Sequence, residues 1–249
     1  MKRKNHPLAR LTRTTLQLLT IGLCLSSGGQ IKAQTLPVAD NLIELNSVEG
    51  EILLKQSQAR EDYIPLSMHF VTQKNPAYCG VASIVMVMNA MSIPAPATPG
   101  FRNYRFFNQD NLFLNPRTET VITAETVARM GMTLEEIAGL LESYPVQTEV
   151  YHGSEVTLDE FRDLIVKNLQ QDDNFAIVNY LRREIGQERG GHISPIAAYD
   201  RRTDRFLILD VSRYKYPPVW VKAEELWQAT NTLDRVSGKT RGLVLVSHL

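Results

Sequence analysis

The chain has 249 residues, of which 43% are hydrophobic and 22% charged, with 27 basic and 27 acidic side chains. Such a length and composition are ordinary for a globular protein with one sizeable domain. The sequence contains no internal repeat, low-complexity tract or linker, so it excludes a repeat protein or a string of small modules.

Residues 1–33 are predicted to be a secretory signal peptide. The first half is basic and contains no acid, residues 16–26 form an apolar stretch too short to span a membrane, and Ala33 is a small residue at a cleavage point. An uncleaved N-terminal membrane anchor is the alternative. We therefore expect an exported, periplasmic protein whose main domain covers residues 34–249.

Loss of this leader would change both the charge and the cysteine count. Six of the 27 basic residues and none of the 27 acidic ones lie in residues 1–33, which leaves residues 34–249 with a formal net charge of −6. That charge argues against nucleic acid as a partner. Cys24 belongs to the leader, so Cys79 would be the single cysteine, without a disulfide framework or a cysteine-based metal site. A lone thiol in an oxidising compartment suggests a reactive residue.

The first half of the domain is predicted to be mainly helical. Residues 34–60 are expected to be a lead-in and residues 61–73 to be extended. The apolar run at 81–91 is long enough for a buried helix, which the prolines at 94–99 must end. Further helices are expected at 123–130, 133–144 and 157–171, and the last two open with capping boxes.

The second half is predicted to be mainly strands. After a strand at 146–151, apolar segments at 175–181, 192–199, 205–211, 219–221 and 242–247 have strand character, with a polar turn at 201–204 and one helix at 223–229. The fold class is therefore α+β, with an N-terminal helical layer and a C-terminal antiparallel sheet.

Cys79 is the candidate nucleophile. It stands at the beginning of the predicted 81–91 helix, where the positive end of the helix dipole favours a thiolate. Gln73, six residues earlier, offers a side-chain amide that could donate to an oxyanion. Taken alone, Cys79 fits a small, inert buried residue better than a nucleophile, because free cysteines are among the most buried residue types.

His192 and Asp210 are the candidate base and its orienting carboxylate. His192 follows Gly191 at the start of one strand, and Asp210 lies at the end of the next, so a hairpin turning at 201–204 brings both to the same end. A carboxylate fixes the tautomer of such a histidine and stabilises its imidazolium. Individually, either residue could be a satisfied polar group or a turn former. The four residues Gln73, Cys79, His192 and Asp210 together favour catalysis.

Cationic residues lie close to His192 and Asp210 in the sequence and at the start of the last predicted strand. They indicate a ligand that carries carboxylates. Arginine binds carboxylates in bidentate fashion, although a solvated surface position is the usual fate of any one arginine. Asn179 is a polar residue within an otherwise apolar strand. The cations concerned are Arg182, Arg183, Arg213, Lys215 and Arg241.

Three stretches of the sequence resemble the signature segments of phytochelatin synthases. They are Asn75 to Gly80, Gly191 to Ile196, and Leu209 to Trp220. The resemblance extends from Gln56 to the C-terminus. It implies a papain-like cysteine peptidase fold, with Cys79 as nucleophile, His192 as base, Asp210 as orienter and Gln73 in the oxyanion hole.

The resemblance also implies the substrate and its contacts. Glutathione would be cleaved at its Cys–Gly bond through a thioester, as donor and in part as acceptor. Asn179 and Arg241 would contact the γ-glutamyl group, and Arg182 and Lys215 would face the second substrate. From the residues alone, Gly191, which lets a substrate approach the backbone, and the cation Arg213 are added to the expected binding set. No cofactor is expected. Heavy-metal ions such as cadmium or zinc would enter as thiolate complexes with the substrate, without a metal site in the protein.

Alternatives to this function stay open at the level of sequence. The plant-type enzymes carry a cysteine-rich C-terminal domain and this chain ends at Leu249, so we expect the short bacterial form, with hydrolysis exceeding transpeptidation. Rival interpretations are a papain-like peptidase that cuts after a double glycine, and a non-catalytic module that binds glutathione or metal. Monomer and homodimer are both compatible with the sequence.

Overall fold

The computed structural model describes residues 35–249. The predicted signal peptide lies outside these residues and stays a prediction, as does the boundary of the catalytic domain. Within the described range, no helix combines the length and the apolar character needed to cross a bilayer.

One antiparallel sheet of seven strands organises the described residues, in the order β1-β6-β5-β4-β3-β7-β2. This confirms the α+β class with an antiparallel sheet. The predicted strands are all present, and a short one at the sheet edge joins them. The strands are β1 Ile43–Glu44, β2 Val146–His152, β3 Phe175–Leu181, β4 Gly191–Asp200, β5 Arg205–Ile208, β6 Val219–Lys222 and β7 Gly242–His248.

Eight α-helices accompany the sheet in the described part of the chain. Those predicted from apolar spacing and capping boxes are confirmed as α3, α5, α6, α7 and α8. The helices are α1 Val48–Gln56, α2 Tyr63–Met68, α3 Cys79–Ala90, α4 Pro116–Glu119, α5 Ala124–Met130, α6 Leu134–Glu142, α7 Leu158–Leu169 and α8 Ala223–Thr230.

The prediction of extended chain at 61–73 was wrong, because α2 occupies the middle of that segment. This helix has six residues and buries only Leu66 completely. A helix this short gains its stability from tertiary packing more than from propensity. Six residues are also too few to show the apolar period on which the helix predictions depended.

Helices cover both faces of the sheet, so the prediction of one N-terminal helical layer was incomplete. Helices α3 and α6 pack on one face, and α7 and α8 pack on the other. Successive residues of β3 enter different cores, with Ile177 in the first and Val178 in the second. Central strands that are buried on both faces show continuous apolar runs instead of alternating apolar and polar residues, so the run at 175–181 carried a signal of two layers that the prediction did not use.

Helix α3 lies directly against β4 and fixes the position of its first residue, Cys79. The Ser83 hydroxyl lies 2.8 Å from the Cys79 carbonyl oxygen and 3.2 Å from that of Ile193 on β4. A Cβ atom on Gly80 would come within 2.9 Å of the Met132 sulfur and 3.3 Å of the Ile193 side chain. The missing side chain at Gly80 therefore allows this close approach of helix and strand.

The first prediction concerns the capping box of α7, on the sheet face opposite α3. The Glu160 amide donates to the Thr157 hydroxyl oxygen at 3.3 Å, and the Thr157 amide donates to Glu160 at 2.8 Å. Thr157→Ala removes the hydroxyl and is expected to lower the free energy of unfolding by about 1 kcal/mol, measured by urea denaturation. Thr157→Ser keeps the hydroxyl and is the matched control. Equal losses for both variants would contradict the role of the cap.

Candidate active site

Cys79 occupies the first turn of α3, as the sequence predicts, and is only 7% exposed. The unpaired amides and the dipole at this end of a helix favour negative charge. Burial alone would raise the pKa of the Cys79 thiol. The hydrogen bond and charge of His192, with the Ile193 and Gly80 amides, outweigh burial, so this pKa lies below its ordinary value.

His192 lies on β4, directly opposite Tyr180 on β3, and its ring is buried. Its Nε2 lies 2.8 Å from Asp210 Oδ1 and 3.0 Å from the Ser194 hydroxyl, which leaves Nδ1 as the ring nitrogen for Cys79. Burial lowers the pKa of His192, but the Asp210 charge and the hydrogen bonds to Asp210 and Cys79 raise it above its ordinary value overall. A lowered thiol pKa beside a raised imidazole pKa favours a thiolate–imidazolium pair.

Asp210 follows β5 by two residues and is completely buried. Because β5 pairs antiparallel with β4, Asp210 and His192 lie at the same end of the hairpin, as predicted. The carboxylate also accepts hydrogen bonds from the Ser212 amide at 2.8 Å and from both terminal nitrogens of Arg182. Burial raises the pKa of Asp210, but the charges of His192 and Arg182 outweigh it and hold this pKa well below its usual range.

Gln73 is buried beside the residues that follow Asp210. Its amide nitrogen donates to the Asn75 carbonyl at 2.8 Å, and its side-chain oxygen accepts from the Ser212 hydroxyl at 2.5 Å. Its backbone amide donates to the Val211 carbonyl at 2.9 Å. These bonds fix the side chain between the loop before α3 and the segment after β5. The oxyanion role of Gln73 stays a prediction.

An open cavity of about 1210 Å³ reaches the thiol and the imidazole. Three of the predicted substrate-binding residues, Asn179, Gly191 and Arg241, line it. The charged side chains in its wall, apart from His192, are one aspartate, Asp234, and five arginines, so the cavity is strongly cationic. These arginines are Arg129, Arg183, Arg189, Arg235 and Arg241.

Arg241 is the most firmly held of these arginines. Its guanidinium lies over Gly191, where an added Cβ would come within 3.1 Å of it, and donates to the Leu233 carbonyl at 2.7 Å. Its Nε is buried without a hydrogen-bond partner among the described residues. Burial lowers the pKa of Arg241. An oriented cation in the wall of an open cavity is suited to receive an anionic group of a ligand.

Three other predicted substrate-binding residues lie outside the cavity. Arg182 is buried against Asp210, which does not support its expected contact with a second substrate. Lys215 pairs with Glu188 at 2.6 Å. The Arg213 guanidinium lies over the Phe70 ring, 4.6 Å from its centroid.

Sequence reasoning missed Ser194 and much of the cationic wall. Ser194 lies two residues after His192, on the same side of β4, and its hydroxyl contacts the imidazole. Strand alternation alone could have revealed it. Arg129, Arg189 and Arg235 come from α5 and from two loops, and no sequence pattern connects these segments.

A cysteine at a helix N-terminus, next to a histidine that is paired with a buried carboxylate, defines a nucleophilic-cysteine site on an α+β fold. Comparison with known proteins gives the family. The family model described as phytochelatin synthase matches residues 33–243, and the chain belongs to this family.

Curated relatives carry the name glutathione gamma-glutamylcysteinyltransferase. Glutathione gamma-glutamylcysteinyltransferase 3 of Lotus japonicus is 34% identical over 210 residues, which are 83% of this chain and 42% of the relative. Glutathione gamma-glutamylcysteinyltransferase 1 of Arabidopsis thaliana is 34% identical over 208 residues, which are 82% of this chain and 41% of the relative. The protein of Schizosaccharomyces pombe is 28% identical over 203 residues, or 81% and 47%. The chain thus spans less than half the length of each of these relatives.

The second prediction concerns the effect of His192 on the Cys79 thiol. In His192→Ala the two largest effects that offset the burial of Cys79 are lost, so its pKa should rise and its alkylation by iodoacetamide should require higher pH. The rate is measured against pH by mass spectrometry of the peptide that contains Cys79. His152→Ala is the control, because His152 is also buried but bonds Glu135 and Thr240. A pH dependence that is unchanged in His192→Ala would contradict the thiolate–imidazolium pair.

Proposed function

We propose that the protein is a glutathione γ-glutamylcysteinyl dipeptidyl transferase and hydrolase that acts through a thioester on Cys79. The observation that carries this proposal is the placement of Cys79 next to His192, which is itself paired with Asp210, at the wall of a cationic cavity. The names of the relatives support the substrate and the group transferred. The order of the residues, with the cysteine on a helix and the histidine and aspartate later at strand ends, supports a papain-like arrangement.

Acylation begins with attack of the Cys79 thiolate on the carbonyl carbon of the cysteinyl residue of glutathione. A carbon–sulfur bond forms and the carbonyl oxygen takes the negative charge. As the intermediate collapses, the bond to the glycine nitrogen breaks, and His192 transfers its proton to that nitrogen. Free glycine leaves, and γ-glutamylcysteine stays bound to Cys79 as a thioester.

Deacylation uses the imidazole as a base. His192, now neutral, accepts a proton from the attacking nucleophile, and the carbon–sulfur bond breaks to restore the thiolate. Water as nucleophile releases γ-glutamylcysteine. The α-amine of a second glutathione as nucleophile gives a phytochelatin with two γ-glutamylcysteine units. Asp210 holds Nε2 throughout, so that Nδ1 points at the reacting atoms.

The oxyanion would be stabilised by donors around the N-terminus of α3. The backbone amide of Cys79 belongs to the first turn, where amides lack intrahelical partners. Gln73 donates one amide proton to Asn75 and has a second one, which we propose is directed at the oxyanion, although Gln73 itself is buried and does not line the cavity. Its bonds to Asn75 and Ser212 hold it in place before the charge develops, which is the requirement for such a donor.

The cavity suits the charges of glutathione, which carries a carboxylate at each end. Arg241, whose guanidinium lies over Gly191, and Asn179 line the cavity together with His192 and are proposed to bind the γ-glutamyl group. The remaining arginines of the wall offer partners for the glycine carboxylate and for an acceptor molecule. Heavy-metal ions would enter as thiolate complexes with the substrate.

The third prediction tests the reaction itself. Incubated with glutathione, the protein should release glycine and γ-glutamylcysteine in an amount that exceeds any phytochelatin formed, as separated and quantified by chromatography. Cys79→Ser should lose this activity by a factor on the order of 10³ or more, because the thiolate is the nucleophile. A parallel reaction with zinc measures the effect of metal.

Each of the rival functions predicts a different result in this assay. Binding of glutathione without release of glycine would favour a non-catalytic module. Cleavage of a peptide after a double glycine, with glutathione untouched, would favour a leader peptidase. Full activity in Cys79→Ser would overturn the mechanism.

The fourth prediction concerns the substrate carboxylate. Arg241→Gln should raise the KM for glutathione by about 10- to 100-fold, because a charge-assisted hydrogen bond contributes about 1.5–3 kcal/mol, with a smaller effect on kcat. Arg105→Gln, on an exposed loop outside the cavity, is the control and should leave both constants unchanged. A normal KM in Arg241→Gln would exclude Arg241 from substrate binding.

A further inference from the structure

Arg182 forms a buried ion pair with the carboxylate of the site. Its two terminal nitrogens donate to Asp210, at 2.7 Å to Oδ2 and 2.9 Å to Oδ1. Both side chains are almost inaccessible, with 4% and 0% exposed. The guanidinium is held further by the side-chain oxygen of Gln187 and by the ring of Tyr216, whose centroid lies 5.1 Å away. Such bidentate pairs fix the plane of a carboxylate.

The need to orient His192 does not by itself explain why Arg182 is buried against Asp210. Asp210 Oδ1 already bonds His192 Nε2 and the Ser212 amide. Removing a cation from water is costly, and a buried ion pair often contributes little net stability. The presence of Arg182 therefore points to an effect on the charge that His192 experiences.

The cation opposes the carboxylate in its effect on the imidazole. Asp210 stabilises the imidazolium form of His192, and Arg182 destabilises it. In the acylation step the His192 imidazolium transfers a proton to the leaving nitrogen. A carboxylate that stabilised the imidazolium too strongly would slow that transfer. A cation paired with Asp210 weakens this stabilisation of the imidazolium. It also favours the Cys79 thiolate, with which it interacts.

We propose that Arg182 is a positioning residue of this site that orients Asp210 and offsets part of its charge, and that it does not bind substrate. Its effect on the reaction rests on the proposed function, whereas its effect on the Cys79 thiol does not. The remaining titratable groups around it are Tyr180 on β3, Tyr216, and Glu188, which is itself paired with Lys215. Both tyrosines are buried phenols and carry no positive charge. Arg182 is the cation that contacts the Asp210 carboxylate.

Three variants separate charge from geometry. Arg182→Gln removes the cation and should move both limbs of the pH profile of kcat/KM to higher pH, with kcat reduced about 10- to 100-fold. Arg182→Lys keeps the charge but not the bidentate bonds, so kcat should fall without that shift. Gln187→Glu keeps Arg182 and offsets its charge with a new neighbour, so it should give a smaller shift in the same direction.

Alkylation of Cys79 by iodoacetamide against pH, in the full chain, gives a readout that needs no substrate. Its midpoint should rise in Arg182→Gln and Gln187→Glu and stay in place in Arg182→Lys. If glutathione is not turned over by the wild type, the proposed function fails, but this measurement still tests the role of Arg182.

The control is Arg162→Gln. Arg162 forms an equally bidentate pair with Asp204, at 2.8 and 2.9 Å, in the turn at the opposite end of the β4–β5 hairpin. It should change neither the pH profile nor the alkylation. A raised KM in Arg182→Gln with unmoved pH limbs would overturn the proposal and make Arg182 a substrate ligand. If Arg182→Gln does not fold, an unmoved midpoint in Gln187→Glu overturns it equally.

Discussion

The buried carboxylate of Asp210 is the group on which the rest of the site depends. It lies at the end of the β4–β5 hairpin, without access to solvent, and receives hydrogen bonds from an imidazole, a guanidinium and a backbone amide. A carboxylate in that position would be protonated without these partners. Because it stays ionised, His192 stays oriented, and because His192 is protonated, the buried Cys79 can be a thiolate. Each charge in the series makes the next one favourable.

This series requires that two separately formed elements meet with accuracy. The hairpin supplies His192 and Asp210, and α3 supplies Cys79 through its close packing on β4 at Gly80. The Ser83 hydroxyl connects the helix to the strand just beyond His192. The cationic wall then comes from segments that are distant in the chain, so the site combines a rigid centre with a substrate-facing rim.

Much of the fold and of this centre could be predicted from sequence. Capping boxes, the long apolar run of α3 and the polar turn of the hairpin are local signals, and they located most elements and the residues Cys79, His192 and Asp210. The short helix α2 was missed because tertiary packing stabilises it. The second helical layer was missed although the continuous apolar run of β3 indicates that both of its faces are covered, because such a run does not show which helices cover the second face.

Arg182 shows the limit of such reasoning within the site. Along the chain it resembles its neighbour Arg183, yet Arg182 is buried on Asp210 and Arg183 lines the cavity. Only the three-dimensional position of Asp210, 28 residues later in the chain, separates their roles. Likewise, Arg235 lies in a loop with no pattern of its own, and its place in the cavity wall follows from the packing of the whole sheet.

The most direct test of the account is the covalent state of Cys79 during turnover. The protein is mixed with glutathione, quenched in acid and analysed by mass spectrometry with and without a reductant. The account predicts one γ-glutamylcysteinyl group on the Cys79 peptide, stable to reductant and removed by hydroxylamine, as expected of a thioester. If product forms while Cys79 carries no adduct, or only a glutathione disulfide that the reductant removes, then Cys79 is not the nucleophile.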